Sequence, residues 1–129
     1  AGSAPAFLSA ARLAGLPVLR QGFPVGSGAA RHEAQVSGPL LWEVLVASGA
    51  VDPAKPAGQV RGIVRVTGAD GYTAAFVLAE LSPEFAARPV QLALAIDGAA
   101  LPPEGLRLIV PGEKRGGRSV RDVIRIDVE

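Results

Sequence analysis

Apolar and polar positions alternate with period two along several stretches of this chain. Val60, Val64 and Val66 share a phase in Val60–Thr67, and Val90, Leu92, Leu94 and Ile96 share one in Val90–Asp97. At the carboxyl end Val120, Ile124, Ile126 and Val128 oppose Arg121, Arg125 and Asp127. Period two with β-branching predicts half-buried strands. Leu106–Val110 is a further apolar strand, and Tyr72–Val77 returns from the turn Gly68-Ala69-Asp70-Gly71. Val18–Phe23 is a strand candidate, and Arg31–Ser37 is weakly extended. Asp97-Gly98 is a hairpin-turn signal.

A helical period replaces this in Pro39–Ser48, where Leu41, Val44, Leu45 and Ser48 fall on one face. Pro39 is tolerated in a first turn and Gly49 ends the pattern. Phe7–Leu16 predicts a short helix stopped by Gly15 and Pro17, and Leu78–Phe85 a helix or helical turn crossed by Pro83. Pro24–Ala30, Val51–Gly58 and Leu101–Gly105 read as turns and loops. Regular crossover helices do not separate the strands. The expected class is α+β: a single β-rich mixed-sheet domain over residues 1–129 with two or three short helices.

Composition narrows the function classes. A chain of 129 residues is long enough for a core without staples. Hydrophobic residues make up 49% and charged ones 19%, which excludes a disordered tail. A net charge of +1 with 5% aromatics gives no electrostatic case or stacking platform for nucleic acid. The absence of cysteine removes disulfides, thiolate nucleophiles and cysteine-ligated metals together. No apolar run reaches the roughly 20 residues of a membrane span. Ala1–Ala6 has neither a basic n-region nor an apolar h-region, so an intact signal peptide is not expected.

The chemistry concentrates in Pro111–Arg121. Eleven residues hold four cations (Lys114, Arg115, Arg118, Arg121), the Ser119 hydroxyl and three glycines. Glycines let backbone N–H groups turn toward a ligand, and arginines supply forked donors for carboxylate or phosphate. Gly112–Ser119 also reads G-x-x-x-x-G-R-S, but a nucleotide-binding P-loop needs a helix after it, and a strand is predicted there. A solvated basic loop is the plain alternative.

Other candidates are isolated. His32 beside Glu33 has no second histidine or cysteine to complete a metal or catalytic set, so no catalytic residue is assigned. Gly26 and Gly28 begin like a dinucleotide fingerprint, but Arg31 stands at the third glycine position. Trp42 lies off the apolar face of its helix and is either a packing residue or a stacking surface. Asp70 and Tyr72 sit at a turn whose Asp-Gly pair has a conformational explanation, and they also offer polar contacts to a ligand.

Three segments in order resemble the molybdopterin-binding domain of the sulfite oxidase family. Gly38-Pro39-Leu40-Leu41-Trp42-Glu43-Val44-Leu45 is similar to the family's G-x-P-L-R-D-L-L. Asp70-Gly71-Tyr72-Thr73 through Leu78 is similar to D-G-Y-S-x-x-x-x-L. Val110-Pro111-Gly112 through Gly116-Gly117-Arg118-Ser119-Val120-Arg121 is similar to P-G-x-x-G-x-R-S-V-K-W. Gly98–Pro103 also resembles G-x-x-L-P-P. The likeness spans about residues 37–129, with 1–36 divergent. It implies a ligand-contact role for Gly117, Arg118, Ser119, Val120 and Arg121, with Arg121 in place of the family's lysine. Asp122 replaces its tryptophan and Trp42 its arginine.

The family's enzymes hold molybdenum through a cysteine thiolate that this chain lacks, and a soft thiolate has no equivalent among imidazole or carboxylate. The resemblance therefore implies a small stand-alone relative that binds a pterin or related anionic heterocycle without catalysis. It implies an exported, periplasmic protein signalling to a membrane-bound partner. A molybdopterin oxidoreductase without a protein thiolate, and a structural or protein-interaction domain, are the other readings. Trp42 or Tyr72 would supply the stacking face and Asp70 the group for the amino-pyrimidine edge.

Overall fold

In a computed structural model the described residues are 4–5, 13, 15–26, 28–113 and 118–129. In chain order they form β1 (Ala4–Pro5), β2 (Leu19–Val25), β3 (His32–Gly38), helix α1 (Leu41–Ala47), β4 (Ile63–Gly68), β5 (Thr73–Val77), helix α2 (Leu78–Leu81), β6 (Gln91–Ala93), β7 (Ala95–Ile96), β8 (Ala99–Ala100), β9 (Arg107–Ile109) and β10 (Val123–Val128). One sheet has the order β1-β10-β4-β5, a second β2-β3-β7-β8, and β6 pairs with β9 alone. Every ladder among the described residues is antiparallel, where a mixed sheet was expected. The result is a small α+β domain, mostly strands in antiparallel sheets with two short helices.

Period two decides which side chains enter the core. In β4 Val64 and Val66 are buried, and opposite them Phe76 and Ala74 of β5. Helix α1 buries Leu41, Val44 and Leu45 as its periodicity predicts, and Trp42 as well. These side chains, with Leu92 and Leu108 between the helix and the sheet, form the main core. A smaller cluster of Val36, Ala93 and Ile109 lies apart, with Phe23 packed against it.

Several boundaries differ from expectation for identifiable reasons. The weakly extended Arg31–Ser37 is a full strand, because β2 pairs with it from Leu19↔Gly38 to Val25↔His32. Val90–Asp97 is two short strands serving two sheets. Gln91–Ala93 pairs with β9, and Ala95–Ile96 with β3. Gly38 makes that transfer possible, since a Cβ there would lie 2.0 Å from the Leu92 carbonyl oxygen. The buried Gln91 ties the layers together: its Nε2 donates to the Leu19 (2.9 Å) and Gly38 (3.1 Å) carbonyls.

Helix α2 ends at Ser82 because Pro83 forces the preceding residue into an extended backbone (ψ 134°). Asp97 and Gly98 both have positive φ (50° and 79°), the pattern of a tight hairpin turn. Just before the closing strand Asp122 has φ 51°, and within the strand the register shifts between Val123 and Arg125. This bulge puts Val123 into the core and leaves Ile124 49% exposed, against the phase expected for Ile124. Most of the expected Phe7–Leu16 helix lies outside the described residues; of it, Leu13 is buried in the main core. No helix among the described residues is long and apolar enough to cross a membrane.

Candidate functional site

A cleft of about 550 Å³ opens between the end of β2, the start of β9, residues 110–113, and Ser119 and Arg121. Phe23, Arg31, Arg107, Glu113, Ser119 and Arg121 are among its lining residues. Strand alternation explains Arg107. Leu106 and Leu108 enter the main core, so Arg107 and Ile109 face the other way, toward the small cluster and the cleft. Arg121 is placed by a close backbone approach at the end of β4. A Cβ on Gly68 would sit 2.5 Å from the Arg121 carbonyl oxygen. Ala69 N–H also donates to the Asp122 carbonyl at 2.9 Å, fastening the β4–β5 turn to this segment.

The cleft is electrostatically unfinished. Arg107 Nε and Ser119 Oγ are buried atoms with no hydrogen-bond partner among the described residues. An orphaned buried donor costs about 1–3 kcal/mol, and the two orphans here belong to residues lining one cleft. Burial lowers the Arg107 pKa, the like charge of Arg121 lowers it further, and Asp122 opposes both. Arg31 and Arg121 form no ion pair with a described residue. An anion in the cleft would relieve both the orphaned donors and the Arg107–Arg121 repulsion.

Behind one wall lies a compact ionic network. Arg118 Nε donates to both Glu113 oxygens (3.2 and 3.1 Å), and Nη2 contacts Glu113 Oε2 and Glu80 Oε1. Arg88 Nη1 donates to Glu80 Oε1 at 3.2 Å, and its Nη2 to the Pro111 carbonyl at 2.9 Å. Arg88 Nη1 also lies 3.7 Å from Glu113. The Arg118 guanidinium stacks 4.4 Å from the centroid of the buried Phe76 ring.

Arg118's hydrogen bonds hold the Glu113 carboxyl below its usual range, against a smaller effect of burial. For Glu80 burial acts upward, but hydrogen bonds from Arg118, the Val77 N–H and Arg88 together bring it below its ordinary value. The Arg118 pKa rises, chiefly through its hydrogen bond to Glu113.

The residues expected to contact a ligand are therefore dispersed. Ser119 and Arg121 line the cleft. Arg118 does not: its forked donors already serve Glu113 and Glu80, which makes it the keystone of the network. Val120 is buried in the main core, and Gly117 lies outside the described residues. Trp42 is 8% exposed and packed in the core, which leaves no ring face for stacking. Tyr72 is 51% exposed at the β4–β5 turn, and Asp70 Oδ1 accepts from the Tyr72 N–H at 3.0 Å. Neither is among the residues lining the cleft.

Outside both cleft and network, His32 Nε2 lies 3.2 Å from Asp97. The pair joins the start of β3 to the β7–β8 turn. No metal-holding group of three or more His, Asp or Glu exists among the described residues.

Arg107, Arg31, Phe23 and Glu113 join the site without having been singled out as ligand contacts. A signal existed for Arg107, a lone charge inside the apolar run Leu106–Val110. Phe23 and Arg31 carried none, because only the β2–β3 pairing brings them to β9. No protein-family model and no curated protein matches this chain.

Proposed function

We propose that this domain is a ligand-binding module whose cleft takes a small, flat, anionic heterocycle, a pterin or a close relative. The observation that carries the reading is the pair of orphaned groups, Arg107 Nε and Ser119 Oγ, on residues of one cleft that Arg121 also lines without an ion pair to a described residue. Charge-assisted hydrogen bonds contribute about 1.5–3 kcal/mol each. Two or three of them, with a ring laid against Phe23, give micromolar affinity without a metal. A volume of about 550 Å³ lies within the range of small-molecule sites.

The likeness to the molybdopterin-binding domain of the sulfite oxidase family supports the same class of ligand. The orphaned donors suit the anionic tail of such a cofactor. The family's metal thiolate has no counterpart in a chain without cysteine. In this reading the bound ligand itself is the output, passed as a signal to a membrane-bound partner by an exported protein.

Titration calorimetry with 6-carboxypterin tests the reading. Saturable binding is expected, weakened roughly ten-fold or more in Arg107→Met, with the melting temperature unchanged or raised, because the orphaned donor and its repulsion from Arg121 are removed. No saturable heat with oxidised or reduced pterins, or unaltered affinity in Arg107→Met, would overturn it.

A further inference from the structure

The cleft is bipolar. Its cations Arg31, Arg107 and Arg121 share the lining with one carboxylate, Glu113. We infer that Glu113 is a specificity-determining residue, which selects ligands carrying an exocyclic amine on the ring edge remote from their anionic group. The inference rests on the reading of the cleft as a site for an anionic heterocycle.

The argument starts from the ionic network. Two guanidiniums, Arg88 and Arg118, face two carboxylates, Glu80 and Glu113, so the group as a whole is neutral. Glu113 is thus already compensated and has little pull on a cationic ligand. Its capacity to accept hydrogen bonds is another matter. A carboxylate offers about four acceptor positions. Arg118 uses Oε2 through two nitrogens, whereas Oε1 receives, from the described residues, only a 3.2 Å contact from Nε. The oxygen left under-used belongs to a residue that lines the cleft. A neutral N–H donor suits it, and a ring carbonyl in that place would meet repulsion.

Rigidity makes the preference selective. Bidentate pairing to Arg118 fixes the carboxylate plane, and Arg118 is itself held by Glu80 and by Phe76 beneath it. Glu113 also stays ionised well below neutral pH, because Arg118 lowers its pKa. A site whose acceptor cannot swing away discriminates against the analogue lacking the donor more than a flexible one does.

The test compares 6-carboxypterin with 6-carboxylumazine on the full chain by titration calorimetry. The two share the bicycle and the carboxylate; an oxygen replaces the exocyclic amine in the lumazine. The wild-type chain is expected to prefer the pterin by roughly ten-fold or more, and Glu113→Ala to reduce that preference to near unity. Equal affinities in the wild type, or a preference that survives Glu113→Ala, would overturn the inference while leaving the anionic site intact. Failure of both ligands to bind the wild type would remove the site and the inference together. The wild-type comparison needs no variant, so instability of Glu113→Ala does not blunt it.

Discussion

Replacing Arg118 by methionine keeps the apolar stem and deletes the fork. Glu80 and Glu113 then lose one of their two shared partners, and among the described cations Arg88 remains between them. The four side chains are 24–28% exposed, so neither the surface nor the buried limit applies. Exposed pairs contribute about 0.2–1 kcal/mol, and hydrogen bonds to charged groups about 1.5–3. Taking about 1 kcal/mol for each of the two carboxylates and about 0.5–1 for the stack on Phe76, the loss is about 2.5–3 kcal/mol. At this chain length that corresponds to a fall in melting temperature of roughly 8–12 °C. Scanning calorimetry measures it directly. The control is Arg121→Met, where an exposed cleft cation is removed and a change within about 0.5 kcal/mol is expected. If Arg118→Met melted within about 2 °C of the wild type, the network would be ornamental and the separation of Arg118 from the cleft residues would be wrong.

The same network sets an acid limit. Glu80 and Glu113 both titrate below their ordinary values in the folded chain, so their stabilisation is complete above the usual carboxylate range near about pH 4.3. It disappears as pH falls through the folded values. The melting temperature should fall as pH drops through this range in the wild type, and fall less in Arg118→Met. Gln91→Leu removes the buried donor to the Leu19 and Gly38 carbonyls and should cost about 1–3 kcal/mol in urea unfolding. Gly68→Ala forces a methyl to within 2.5 Å of the Arg121 carbonyl oxygen. It should lower stability by about 1–3 kcal/mol and also weaken binding of 6-carboxypterin, both measurable by calorimetry.

The strands were legible where one face meets the core. Val64 and Val66, or Leu106 and Leu108, reveal their phase because period two and burial coincide. Ile124 misled for the reason that it follows a bulge, and a bulge is set by Asp122's backbone and the partner strand, not by hydrophobicity. Trp42, read as either a packing residue or a stacking surface, packs, because a seven-residue helix here buries more than one stripe. The basic loop stood out by its charge, yet the share of each arginine did not. Arg118 and Arg121 look alike in sequence, and the partners that separate their roles are Glu113, five positions before Arg118, and Glu80, thirty-eight before it. The aromatic wall at Phe23 depends on a strand pairing that local patterning cannot express.

One further contact of Arg118 has an implication beyond the single molecule. Its Nη1 donates to the Ala75 carbonyl at 3.1 Å, on β5, an edge strand of the β1-β10-β4-β5 sheet. Open strand rims invite a neighbouring chain to add on, and proteins commonly blunt them with charge. Here one guanidinium occupies an acceptor that a visiting backbone would seek. Colloidal behaviour at high concentration is thereby tied to the same side chain that steadies the cleft wall.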